Sequence, residues 1–347
     1  MWKLNRRTFL VLTGVVLGLA GLAYPAKADQ GQVKKPDVPA EQPALPFVPG
    51  SWTLVVLPDT QNYSTSFPGR LNLQTQWIAD NKEKHNIVYV LQNGDVTNNN
   101  NEVEWERAGR AFGRLDGLVP YAIAPGNHDF GAGGSTDNRG TLMNDYFPPS
   151  RFAKWPTFGG VMDEGRAENS YHLFSIAGKD WLILGLEWGP RDKTLEWAGQ
   201  ILRKFPNHKA IIMTHAYLYS DSTRYDWQNK GKSQDWNPHN YITAGGVNDG
   251  EEMWQKLVKK HENVFLVLNG HVLNDGLGFL VSKGDNGNTV YQMLVNFQMK
   301  PLGGESWLRL IEFLPDGRTI QVKNYCPLYE KYNTSPEDQF VIKLSQR

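Results

Sequence analysis

A single cysteine, Cys326, stands in a chain of 347 residues, which permits no internal disulfide and no cysteine-based zinc cluster. Net charge is missing too: 36 basic residues balance 36 acidic ones, and no run of Lys or Arg forms an electrostatic track along nucleic acid. There is no internal repeat. Long apolar runs are also absent except for one near the N-terminus, so only that segment raises a membrane question. What is present is ample core material. With 40% hydrophobic residues the chain can bury a sizeable interior, and wholesale disorder is excluded.

Residues 1–28 open with Lys3, Arg6 and Arg7, continue through an apolar stretch at 9–23 and close with Ala26-Lys27-Ala28. A charged start, a short apolar middle and a small-x-small exit are the parts of a secretory signal peptide. Asn5-Arg6-Arg7-Thr8-Phe9-Leu10 also matches a twin-arginine export signal, an address read by a receptor. The competing reading, an uncleaved anchor helix, needs about 20 apolar residues, and this run is short for that. The expectation is therefore an exported protein, periplasmic or extracellular, that meets the membrane only in transit. Cleavage removes four basic and no acidic groups, leaving 32 against 36 and a net charge of −4.

Residues 29–50 hold Pro36, Pro39, Pro43, Pro46 and Pro49 among polar neighbours and read as an extended linker, with one domain expected over 51–347. Within it, strand patterns at 53–57, 87–93, 121–124, 181–186, 210–214 and 264–269 are apolar almost throughout, as suits strands buried on both faces. Helical patterns at 71–84, 102–115, 193–204 and 250–261 lie between them, and the alternation predicts an α/β layered domain. Further strands at 290–297, 307–313 and 319–325 are expected to complete a second sheet. Two long segments, 130–170 and 217–246, show no clear period, and loops of that length are usually functional or mobile.

The residues after each apolar run carry the chemistry. They are Pro58-Asp59-Thr60-Gln61, Gly94-Asp95, Gly126-Asn127-His128-Asp129, Thr214-His215 and Gly270-His271-Val272-Leu273. Ligands of open α/β sheets bind beyond the strands' C-terminal ends. A lone Asp there is usually a helix cap or turn former, and a lone His a hydrogen-bonded structural residue. Five such positions delivering Asp, Asp, Asn-His, His and His to one edge form a metal-ligand collection.

The Gly-Asp, Gly-Asn-His-Asp and Gly-His motifs in this order, with a His between the last two, resemble the calcineurin-like metallophosphoesterase superfamily, over about residues 51–325. The resemblance implies a four-layer α/β/β/α sandwich and a site for two divalent metal ions bridged by a carboxylate. It implies Asp95 as that bridge, Asn127, His215 and His271 as completing the second metal site, and Asp59 as serving the first. His128 then matches the family's non-ligand His that assists the leaving group, and Asp129 would orient it. Two departures touch the first site: Asp59-Thr60-Gln61 replaces Asp-x-His, and Gly270-His271-Val272-Leu273 replaces Gly-His-x-His. The first site is left with Asp59, Asp95 and the amide oxygen of Gln61, with Asn98 and Asp275 as spare candidates. Its oxygen donors lean toward Mn, Mg or Ca and weaker binding, whereas the second site suits Mn, Fe or Zn.

The segment 217–246 follows a ligand strand directly and is rich in aromatics. Trp227, Trp236 and His239 are candidate substrate contacts there, against the alternative that they pack the loop onto the body. Arg224 and Lys300 are candidate helpers for phosphate charge, and Glu187 is either a supporting residue or a cap. The expected function is a secreted metal-dependent hydrolase of phosphomonoesters or phosphodiesters, small or polymeric. The alternative is a carbohydrate- or surface-binding protein on a degenerate frame with a structural metal.

Overall fold

The computed structural model describes residues 43–344; the expected export signal and the linker up to residue 42 lie outside the described residues. The strands in chain order begin with β1 (Trp52–Leu57), β2 (Ile87–Gln92), β3 (Tyr121–Ile123), β4 (Phe158–Val161) and β5 (Ser170–Ile176). They continue with β6 (Lys179–Gly185), β7 (Lys209–Met213), β8 (Val264–Asn269), β9 (Leu277–Lys283) and β10 (Thr289–Val295). The last are β11 (Leu308–Phe313), β12 (Thr319–Cys326), β13 (Lys331–Asn333) and β14 (Gln339–Lys343). One seven-stranded sheet runs β13-β12-β11-β1-β2-β3, with β14 also on β12; the other runs β4-β5-β6-β7-β8-β10-β9.

Side-chain alternation assigns the layers. Along β1, Trp52, Leu54 and Val56 face a core shared with Trp181, Ile183, Ile211 and Met213 of the other sheet. Val55 and Leu57 face the opposite way, into a core with the helices Pro68–Asn81 and Glu102–Phe112. On the second sheet Leu182, Leu184, Ile212 and Val267 pack against the helices Asp192–Lys204 and Gly250–Lys256. Three apolar interfaces between four layers make the α/β/β/α sandwich. The central strands bury both faces, which is why their sequences are apolar without a polar alternation.

The strands that position the site are parallel. β1, β2 and β3 pair in parallel, with Val55 opposite Val90 and Leu91 opposite Ala122. In the other sheet β6, β7 and β8 do the same, with Ile183 opposite Ile211 and Ile212 opposite Val267. The C-terminal ends of both sets meet at one edge of the sandwich.

Three expectations are corrected. Of the strands at the end of the chain, β10 joins the second sheet, but β11 and β12 pair antiparallel beside β1 in the first. Both sheets bury strands alike, so an apolar run carries no label for its sheet. The aperiodic stretch 130–170 contains β4, a four-residue strand with two glycines and only half-buried side chains. The linker ends earlier than residue 51. Leu45 N–H donates to Gln339 Oε1 at 2.7 Å and Val48 N–H to Glu312 Oε1 at 2.8 Å, so 43–50 is docked on the first sheet. Among the described residues no helix is long and apolar enough to cross a membrane.

Candidate metal centre and active site

Four of the ligand candidates, Asp59, Asp95, His215 and His271, follow strand ends and are held by a backbone group from elsewhere in the chain. Asp59 follows β1, and its Oδ1 accepts the His271 N–H at 2.9 Å. Asp95 follows β2 with a left-handed backbone, φ 49°, which Asp tolerates better than most residues. Its Oδ1 accepts the His128 N–H at 3.0 Å. Two glycines make this density possible. A Cβ on Gly126 would lie 2.1 Å from Asp95 Oδ1, and one on Gly270 would lie 2.2 Å from Asp59 Oδ2.

The imidazoles are oriented by carbonyls. His215 Nδ1 lies 2.8 Å from the Asn93 carbonyl and His271 Nε2 lies 2.8 Å from the Trp236 carbonyl. A carbonyl only accepts, so those nitrogens carry hydrogen, and the opposite nitrogens, His215 Nε2 and His271 Nδ1, present their lone pairs inward. They face each other at 3.2 Å, and His215 Nε2 stands 3.1 Å from Asp95 Oδ2. Lone pairs and a carboxylate converging in a buried place require a proton or a cation between them. Asp95, His215 and His271 form one of the ligand-competent groups among the described residues.

Without a cation the electrostatics are strained. Burial pushes the Asp59 carboxyl up to about 8, against the pull of His215. Burial also works against charge on Asp95, but His215 and His128 outweigh it and hold the carboxyl well below the usual range. His215 is penalised by burial and then lifted to about 9 by Asp95 and Asp59, while burial and His215 together drive His271 down to about 3.

The residues expected for a metal fit one. Asp59 Oδ2, Gln61 Oε1 and Asn127 Oδ1 are all buried oxygens with no hydrogen-bond partner. Native interiors rarely leave such acceptors unmet, and three of the expected ligand atoms do so together. The donor set is oxygen-only at Asp59, Asp95 and Gln61, and mixed oxygen and nitrogen at Asp95, Asn127, His215 and His271. Leu273, where the family pattern has a second His, is half-buried and offers no donor. Neither spare candidate contributes to this set of buried unpartnered oxygens: Asn98 meets the site through its backbone carbonyl, which takes His128 Nδ1, and Asp275 Oδ1 takes the Leu277 N–H.

His128 is half-buried, with Nδ1 2.9 Å from the Asn98 carbonyl, which leaves Nε2 to face outward. Asp129 does not orient it. Its carboxylate accepts from Gly126 N, Val96 N, Thr97 N and Thr97 Oγ1 at 2.8–3.1 Å, bracing the turn after β3 against the turn after β2. Four donors saturate a buried carboxylate, so it serves the backbone and not the imidazole.

The aromatic loop divides. Trp236 reaches the site through its carbonyl, from a left-handed backbone at φ 62°. Trp227 stacks on His239 at 5.9 Å, and His239 Nε2 contacts Glu252 Oε2 at 2.7 Å. Trp227 and His239 therefore anchor the loop to the helix Gly250–Lys256, the packing role. Arg224 is spent on Glu251, Ser282 and Gln292 and lies over Trp254, and Lys300 sits over Trp307. Glu187 is held by Arg191, Arg139 and Thr194 at the start of the helix Asp192–Lys204.

Sequence reasoning missed the carbonyls of Asn93, Asn98 and Trp236, since backbone acceptors leave no mark on residue type. The sequence also places Glu187-Trp188 near this edge but gives the ring no role; it lies 4.9 Å from His271 and 5.8 Å from His215. Its position just past an apolar strand of the same sheet was the available signal.

Two facing sheets, whose parallel strand ends gather carboxylates, amides and imidazoles at one buried edge, define a protein of the α/β/β/α class with a candidate metal-ligand set. Residues 53–275 match the calcineurin-like phosphoesterase family, and the chain belongs to it. It is 30% identical over 306 residues to YvnB of Bacillus subtilis strain 168, a match covering 86% of this chain and 22% of that protein, so the chain spans about a fifth of this relative. Among solved structures it is similar to the purple acid phosphatase PPD1 from yellow lupin seeds, with TM-score 0.49, 15% identity and coverage of 87% of this chain and 55% of that one. It is also similar to the NAD nucleotidase NadN of Haemophilus influenzae, with TM-score 0.41, 12% identity and coverage of 80% and 48%.

Proposed function

We propose that the protein is an exported, metal-dependent phosphoesterase that hydrolyses phosphomonoesters or phosphodiesters with an activated water. The observation that carries this reading is the meeting of Asp95 Oδ2, His215 Nε2 and His271 Nδ1 beside three buried oxygens without partners. Asp95, Asn127, His215 and His271 would hold one divalent ion (Mn, Fe or Zn), and Asp59, Gln61 and Asp95 a more weakly bound one (Mn, Mg or Ca). Ions held there supply Lewis acidity, which acidifies water and offsets charge on phosphoryl oxygens.

The chain's own residues do the rest. The backbone carbonyls at 93 and 236 fix which imidazole nitrogens face inward, so no reorientation is needed. His128, its Nδ1–H held on the Asn98 carbonyl, keeps Nε2 free for the leaving-group oxygen, and when Nε2 also carries a proton it can give that proton to the departing alkoxide. The Trp236 ring, which makes no ring-to-ring contact among the described residues, is the remaining aromatic candidate for the leaving group. The substrate is a small-molecule or polymer phosphate ester. Export rests on the pattern of residues 1–28, which favours recognition by a twin-arginine receptor and a periplasmic or extracellular location.

The two imidazoles missing from the first site favour the alternative of a binding protein. Against it, Gln61 Oε1 is buried and unpartnered, so the position keeps an inward oxygen donor in place of nitrogen. Hydrolysis of an aryl phosphate and its diester with and without Mn decides the matter. Activity removed by chelator and by His128→Ala is expected, and silence with every divalent metal would overturn the enzyme reading.

A further inference from the structure

The segment 217–241 holds tyrosines at 217, 219, 225 and 241, and their hydroxyls are used differently. Tyr217 Oη donates to Gln292 Oε1 at 3.1 Å, Tyr225 Oη donates to the Asp235 carbonyl at 2.9 Å, and Tyr219 Oη accepts from Asn274 Nδ2 at 3.4 Å. Tyr241 is half-buried, and its Oη has no hydrogen-bond partner among the described residues. The oxygen is not one of the fully buried unpartnered atoms, so a ligand can reach it.

The ring is fixed beside the candidate metal centre. It meets the Trp188 ring edge-on at 5.1 Å and the His271 ring, tilted, at 6.1 Å. Trp188 is itself held, its ring 4.9 Å from His271 and its Nε1 donating to Thr243 Oγ1 at 3.4 Å. Along the backbone, Tyr241 N–H donates to the Pro238 carbonyl at 3.2 Å, and Thr243 Oγ1 lies 2.7 Å from Thr136 Oγ1. The chain is thus tied down on both sides of the phenol. Burial raises the pKa of Tyr241, and the one charged side chain that adds to this is Asp95. The hydroxyl therefore lies within the field of the candidate ligands and is an O–H donor at neutral pH. Cationic donors are not at hand: Arg224 is spent on Glu251 and Gln292, and Lys300 lies over Trp307. A phosphoryl group at this centre depends on neutral donors for its oxygens, and Tyr241 Oη is one that nothing in the protein occupies.

We propose that Tyr241 is a phosphoryl-binding residue, its Oη–H donating to a non-bridging oxygen of a phosphate group held beside Asp95, His215 and His271. The assignment rests on the phosphoesterase reading of the same centre and adds to it a residue that holds the substrate. A hydrogen bond to a charged acceptor is about twice as strong as one between neutral groups, so a phosphoryl oxygen rewards this donor well. A ring already wedged between two aromatic neighbours also gives up little freedom when the ligand arrives. Packing alone accounts for the contacts with Trp188 and His271, which a phenylalanine would make equally well. It does not account for the hydroxyl, since tyrosine O–H groups that are withdrawn from solvent usually find a partner.

The test compares the full chain with Tyr241→Phe, which keeps the ring and removes only the oxygen, after both are loaded with Mn. Binding of inorganic phosphate is measured by calorimetry, and metal content, melting temperature and aryl phosphate hydrolysis are determined on the same samples. Phosphate is expected to bind roughly tenfold or more weakly to the variant, the usual effect of losing a hydrogen bond to a charged group. The kcat/KM for aryl phosphate should fall by a similar factor, with metal content and melting temperature unchanged. Equal phosphate affinity in the two proteins would overturn the role of Tyr241. Loss of metal from Tyr241→Phe would overturn it as well, because the phenol would then be acting on the ions and not on phosphate. Absence of phosphate binding in the parent protein would also sink it, while hydrolysis by that same parent sample decides the phosphoesterase reading separately.

Discussion

Gly126 and His128 sit two residues apart and fail in different ways. At Gly126 a methyl group would meet Asp95 Oδ1 at 2.1 Å and Asp95 N at 2.3 Å, both held by the surrounding backbone. Gly126→Ala must therefore displace the carboxylate, and metal retention is expected to fall by roughly 10- to 100-fold, the usual effect of disturbing a ligand's support. His128→Ala touches no proposed ligand side chain, so metal content should be unchanged while kcat drops by roughly 10²–10⁴, the range for a lost general acid. Metal analysis alongside steady-state kinetics separates the two, and metal loss in His128→Ala would contradict the assigned role. The candidate ligand side chains that the structure brings together at one edge were legible because each is a chemically distinctive residue within a few positions of the end of an apolar run. Asp129 was misread because sequence shows that a carboxylate follows His128 but not which donors surround it. In space the N–H groups at 96, 97 and 126 claim it first.

At the scale of elements, strand ends were readable and connections were not. β1, β2, β7 and β8 are buried on both faces and announce themselves as apolar runs, whereas β4 is half-buried and glycine-containing and leaves no period. The loop across 226–241 carries aromatic residues whose purpose only the contacts reveal: one end is fixed by His239 on Glu252, and the carbonyl of Trp236 reaches His271. The hydrogen bond to Glu252 raises the His239 pKa, and His239 in turn helps lower that of Glu252. The facing charges are Asp249, which supports His239⁺, and Lys256, which opposes it. A raised histidine stabilises fully below its unfolded pKa of about 6.5 and stops doing so as pH climbs through the folded value. A lowered carboxyl acts in the opposite direction, stabilising above its unfolded value and losing that effect in acid. The anchor is thus strongest between the two, and amide exchange of 226–241 should speed up as pH rises past neutrality, beyond the intrinsic base-catalysed increase. His239→Gln should remove that extra rise. A loop whose protection ignores pH in the parent protein would contradict the anchor.

The described residues form two sheets joined by an apolar interface, with the candidate ligand set at one edge drawing on both. Asp95 and Asn127 come from strand ends of the first sheet, while His215 and His271 come from the second, so the proposed second metal site would span both. Asp59, Gln61 and Asp95 all belong to the first sheet. Elsewhere the first sheet carries its own charged fastening: Lys323 and Glu312, each 1% exposed, form a buried pair that also binds the entering chain at Leu45 and Val48. Lys323→Met alone strands the carboxylate and should cost about 3–5 kcal/mol in denaturant unfolding, whereas adding Glu312→Leu should recover most of it. The edge site makes a different demand. An ion that binds only the folded protein stabilises by mass action, about 2.7 kcal/mol when free ligand is 100 times its dissociation constant. Because His215 and His271 reach across from the opposite sheet, Mn or Zn should raise the melting temperature of the parent protein, and chelation should reverse the gain. Gln61→Ala removes a donor from the first site only and should keep most of that rise; His215→Ala removes the cross-sheet ligand and should abolish it. Scanning calorimetry of the three proteins with and without metal reads this directly. A full metal-induced rise in His215→Ala would show that the stabilising ion does not bridge the sheets.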